Sequence, residues 1–177
     1  MSQAPTPPAA PPPAPPRSGM PVVVIVLLVM FLLVFVLGVL AAIAIPSFIK
    51  YTRRAKAAEA ETNIAAIVRG IQSRQVEQGT LPPSVPATPA PAAPPVCATQ
   101  TWPAAAPPGW AELGFTPFGP LRYSYSIDTA PDGRSLAVRA TGDLDCDGIP
   151  GRFERTVALA TDGTVVIGPL IRTDELE

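Results

Sequence analysis

The polarity pattern along the chain changes period twice. Met20 to Ile45 carries no charged residue and is apolar nearly throughout. About 20 consecutive apolar residues span a bilayer as a helix, so this run predicts a retained membrane helix. A cleaved signal peptide using Ala42-Ile43-Ala44 is the rival reading, but signal cores are usually about 7–15 residues and this run is longer. Beyond Pro46 the pattern becomes amphipathic. Ala57, Ala60, Ile64, Ile67 and Ile71 recur at three- and four-residue steps, which places them on one helical face. Arg53, Arg54, Lys56, Glu59, Glu61, Arg69 and Arg74 occupy the others. Gly79 is the expected C-cap, Pro82-Pro83 the stop, and Pro46 an expected kink.

The period then falls to two. Leu121, Tyr123, Tyr125 and Ile127 alternate with polar residues. Leu136, Val138 and Ala140 alternate with Ala137 and Arg139, and Phe153, Val157 and Leu159 with Glu154, Thr156 and Ala158. Val165 and Ile167 make a short fourth strand, with turns at Pro131-Asp132-Gly133 and Asp162-Gly163. The expected fold is α+β: a long N-terminal transmembrane and amphipathic helix packed on a small four-stranded antiparallel sheet. A sheet with one apolar face needs a cover, and the amphipathic half of the helix is the available one. The expected organisation is a Pro-rich tail over 1–19, a membrane half-helix over 20–46 and an amphipathic half-helix over 47–79. A Pro/Ala-rich linker over 80–110 and a β domain over 111–177 complete it.

Composition narrows the function. The chain of 177 residues has a net charge of −1, which gives no footprint for nucleic acid. It has no histidine, which removes histidine-based acid–base catalysis and histidine-ligated zinc. No nucleophile–base pair is visible, so neither an enzyme nor a small-molecule substrate is expected. Its 25 prolines are clustered, and those of Met1 to Pro16 favour an extended, unpacked tail. Trp102 and Trp110 read as packing residues rather than a ligand platform.

One segment carries candidate chemistry. Asp143-Leu144-Asp145-Cys146-Asp147-Gly148 has the spacing that opens a calcium loop, with Glu154 at its twelfth position. Asp143, Asp145, Asp147 and Glu154 supply carboxylates, and Ile149 a backbone carbonyl, for a Ca2+ ion. The flanks alternate with period two, so strands replace the helices of an EF-hand. Glu154 lies on the strand face opposite Phe153 and Val157, from which its carboxylate can turn toward the loop. The competing reading is an acidic hairpin whose aspartates close Asx-turns.

The segment Gly38 to Ile67, GVLAAIAIPSFIKYTRRAKAAEAETNIAAI, resembles the N-terminal helix of type IV pilins and pseudopilins. The Gly79-Thr80-Leu81-Pro82 element after it, the sheet layout and the GDLDCDG segment agree with that likeness. The resemblance implies a structural subunit of a pilus or a type II secretion-type apparatus. Its helix would pack with those of other pilin-like subunits, and its sheet would face outward. Calcium binding in a C-terminal loop is known among pseudopilins. A C-terminal disulfide loop, common in the family, would here join Cys97 to Cys146; two free thiols are the alternative.

Two family features are missing. Aligning on Gly38 to Pro46 puts the family's N-terminal glutamate at Val29 and its cleavage-site glycine at Val24. No acidic residue precedes Glu59. The departures point to a minor or non-polymerising member. Orientation is read two ways. Lys50, Arg53, Arg54 and Lys56 after the span favour a cytoplasmic C-terminal side. Two cysteines favour an oxidising compartment, and the resemblance implies a bacterial inner-membrane anchor with a periplasmic domain.

Overall fold

The computed structural model describes residues 21–90 and 98–174. The Pro-rich tail and Cys97 therefore lie outside the described residues. The chain divides into two compact units, Met1–Ala44 and Ile45–Glu177.

Helix α1 runs from Val22 to Gln78 with Pro46 inside it. In the first unit every described residue is exposed, and a window of the helix reaches a mean hydropathy of 3.6. Such a surface has no solvent partner in water, and its length and composition suit a bilayer. Among the described residues, one helix, α1, is therefore long and apolar enough to act as a single-pass anchor.

In the second unit the amphipathic stretch of α1 buries the residues its periodicity selects. Ala57, Ala60, Ile64, Ile67 and Ile71 are buried, and Val68 joins them. Gly79 ends the helix with φ 73°, and its N–H reaches the Gln75 carbonyl at 2.7 Å. The left-handed φ suits glycine, because residues with a side chain rarely adopt it.

Among the described residues the sheet has five strands rather than four. They are β1 (Val85–Thr88), β2 (Ser124–Thr129), β3 (Ser135–Gly142), β4 (Gly151–Leu159) and β5 (Val165–Thr173). Their order is sequential and every pairing is antiparallel. The extra strand comes from the Pro/Ala-rich segment read as a linker. Val85 is 2% exposed and stands opposite Ile127, so one apolar side chain recruits the segment to the sheet edge. Side chains lace it down: Thr129 Oγ1 donates to the Pro82 carbonyl at 2.8 Å, and Ser124 Oγ to that of Pro89 at 2.6 Å. Prolines are tolerated here because an edge strand need not donate on its free side.

Strand β5 is also longer than Val165 and Ile167 predicted. It continues through Gly168-Pro169 to Thr173, with an irregular register opposite Arg155 to Val157. A Cβ at Gly168 would lie 2.2 Å from Thr156 Oγ1, so glycine allows the strands to stay paired past this point.

The short helix α2 (Pro108–Glu112) fills the remaining end of the core. Trp110 is fully buried, with Trp102 and Phe115 rings at 5.8 and 5.4 Å. Both tryptophans thus serve packing. The contact of this region with α1 is close enough to require glycine: a Cβ at Gly70 would sit 2.2 Å from the Leu113 carbonyl oxygen. The core is otherwise the expected one, with Tyr123, Tyr125, Ile127, Leu136, Val138, Ala140, Phe153 and Val157 buried on the sheet side.

Candidate functional site: the acidic loop and its anchoring to the helix

The loop between β3 and β4 brings Asp143, Asp145 and Asp147 together. One carboxylate oxygen from each lies within 4.8 Å of the others. Burial decreases along the series: Asp143 is buried, Asp145 half-buried and Asp147 exposed.

The loop is built by its own aspartates. Asp143 Oδ1 accepts the Cys146 N–H at 2.7 Å, and its Oδ2 accepts the Gly148 N–H at 3.0 Å. Asp145 Oδ1 accepts from the Asp147 N–H at 3.3 Å, and Asp147 Oδ1 from the Ile149 N–H at 2.7 Å. These are Asx-type closures, and they tie up backbone donors that the turn would otherwise leave bare. Cys146 and Gly148 take φ of 74° and 90°. The turn therefore holds a non-glycine residue in a left-handed conformation, which the two bonds to Asp143 sustain.

Glu154 takes a different partner. It stands opposite Arg139 in the β3–β4 register, and Arg139 Nε donates to its Oε2 at 2.6 Å. Arg139 also pairs with Asp128 across the neighbouring strand. The hydrogen bond that Arg139 donates to Glu154 raises the pKa of its guanidinium above the ordinary value, against the opposing effect of partial burial. The cluster of three aspartates does not include Glu154. Ile149 follows the turn and is 58% exposed.

Arg53 is a contact the spacing did not reveal. Its Nη1 donates to Asp145 Oδ2 at 3.3 Å, across 92 residues. It links the acidic loop to α1. A second link of the same kind lies deeper. Glu59 Oε1 accepts the Arg122 N–H at 2.9 Å and the Tyr125 hydroxyl at 3.3 Å. Its Oε2 is 3.5 Å from Arg122 Nη1. Asn63 Nδ2 donates to the Tyr125 oxygen at 2.7 Å. Burial, and then the Glu59 charge, push the Tyr125 hydroxyl well above the usual phenol range. These polar residues clamp α1 to β2 at a fixed axial position, which apolar contacts alone would not specify.

No free cysteine occurs among the described residues. Cys97, the expected partner of Cys146, lies outside them. The loop can close a turn, balance the Arg53 charge and offer three carboxylates to a cation. No family model, curated protein or solved structure matches the chain.

Proposed function

We propose that the protein is a pilin-like or pseudopilin-like structural subunit, anchored in a bacterial inner membrane by its N-terminal helix. Its C-terminal domain is extracytoplasmic. It serves a pilus or a type II secretion-type apparatus as a minor or non-polymerising component. The observation that carries this reading is the division of labour within α1. Val22 to Ala44 exposes only apolar and glycine surface, whereas Ala57 to Ile71 buries one face in the domain. A helix that serves both as anchor and as core element suits a subunit whose purpose is to present a domain at a membrane.

A Cys97–Cys146 bridge belongs to this reading and suits an oxidising compartment. Without an acidic residue in the apolar stretch, helices would associate there by packing rather than by a charge pair. The direct test is protease treatment of spheroplasts, combined with N-terminal mapping and filament shearing. Digestion of the domain in spheroplasts supports the extracytoplasmic placement, and protection there refutes it. Recovery from sheared filaments would argue for a polymerising subunit. An intact N-terminus found only in inner membrane would remove the filament role.

The clustering of Asp143, Asp145 and Asp147 favours a second reading, a membrane-tethered calcium-dependent binding module. Calcium titration of the full chain in detergent tests it. A melting temperature indifferent to millimolar calcium, with Asp145→Ala behaving as the parent, would exclude it.

A further inference from the structure

We propose that the first turns of α1 in the second unit form a collar that binds anionic phospholipid headgroups. The inference rests on the membrane-anchor reading and adds a lipid preference to it.

The collar begins five residues after Ile45, with Lys50, and includes Arg54 and Lys56. All three cations are exposed, and none has an acidic partner within 4 Å among the described residues. Of the nearby acids, Asp143 lines a small pocket with Lys56 without pairing to it, and the other two are engaged elsewhere. Asp145 is taken by Arg53 and Glu59 by Arg122. No acidic residue precedes Glu59 in the chain, so nothing upstream neutralises the cluster. The segment thus holds exposed cations, of which Lys50 and Arg54 are the nearest to the apolar stretch in sequence.

Lys50, about 7.5 Å along the helix from Ile45, lies at headgroup depth, and the long side chains of Arg54 and Lys56 reach back toward it. Lys50 to Lys56 covers six helical steps, about 9 Å at 1.5 Å per residue. The polar layer on each side of the hydrocarbon is roughly 5–8 Å deep. At 100° per residue, Lys50 and Arg54 share one side of the helix and Lys56 faces another, so headgroups can be met from more than one direction. Phe48 and Tyr51 are 67% and 71% exposed in the same turns. Aromatic rings at this level settle at membrane interfaces, and long basic side chains extend along them to reach phosphate. Clusters of Lys and Arg beside a membrane helix recruit anionic lipid, each cation strengthening the association about fivefold.

The full chain is reconstituted in phosphatidylcholine vesicles containing traces of spin-labelled phosphatidylglycerol or spin-labelled phosphatidylcholine. The reading is the relative association of the two labels with the protein boundary. A preference of at least about fivefold for phosphatidylglycerol, the effect of a single cation, is expected, lost at high salt and in the Lys50→Gln/Arg54→Gln/Lys56→Gln variant. Arg69→Gln, an exposed cation further along the helix, should keep the preference. Circular dichroism of the triple variant confirms that the fold is intact. Equal association of both labels with the parent protein overturns the collar and turns attention to an acidic protein partner. So does a preference that survives the triple substitution. Failure of the parent to float with either vesicle refutes the membrane anchor, and the collar with it.

Discussion

The Glu59 clamp makes the sharpest demand on this structure. Glu59→Ala removes the acceptor for the Arg122 N–H at 2.9 Å and for the Tyr125 hydroxyl at 3.3 Å. Bonds to a charged acceptor stabilise by roughly 1.5–3 kcal/mol each. The Tyr125 bond is the longer, and Tyr125 keeps its bond from Asn63, so its loss counts at the low end. The Arg122 guanidinium is 35% exposed, and its ion pair with Glu59 adds little because solvent screens it. The sum is a loss of about 2–4 kcal/mol. For a unit of this size that corresponds to a melting-temperature drop of roughly 6–16 °C. Glu59→Gln keeps an acceptor oxygen in place, and its loss should be about 1 kcal/mol. The assay is thermal unfolding of the full chain in detergent, followed by near-ultraviolet circular dichroism of the buried aromatic cluster. An alanine variant within about 0.5 kcal/mol of the parent would refute the clamp, as would a glutamine variant equally damaging.

Three further outcomes follow from neighbouring geometry. Gly70→Ala forces a Cβ to within 2.2 Å of the Leu113 carbonyl, so it should destabilise by about 1–3 kcal/mol, whereas Gly38→Ala, with open space around it, should not. Asp143→Ala strands the Cys146 and Gly148 N–H groups and should cost about 2–3 kcal/mol even with chelator present; unchanged unfolding in chelator would mean the loop is held by something else. Tyr125 has a raised folded-state pKa, so its contribution is fully present below the unfolded value of 10.0 and is lost as pH rises above it. Alkaline unfolding monitored by phenolate absorbance should therefore weaken stability beyond that pH, and Tyr125→Phe should flatten this dependence.

The acidic loop shows how far spacing carries. The alternate aspartates and following glycine were legible as a cluster, because residues two apart in a tight turn must converge. The fate of Glu154 was not. Its carboxylate is committed by a cross-strand neighbour, and the register pairing Arg139 with Glu154 is a property of two strands together. Arg53 was invisible for the same reason: its partner lies 92 residues away.

The chain's own periodicities determined the apolar stretch of α1, the buried helix face from Ala57 to Ile71, the Gly79 cap and the alternating strands of the sheet. Each depends on neighbours within a turn or a strand, where geometry follows directly from the order of residues. Tertiary structure alone decided that Val85 to Thr88 forms a strand, that Pro108 to Glu112 forms a helix, and that Gly70 meets Leu113. A Pro/Ala-rich segment has no periodicity strong enough to declare a strand. Its one buried valine acquires meaning only when Ile127 is beside it. Local order chose the elements, and the packing of distant side chains chose which ambiguous segments joined them.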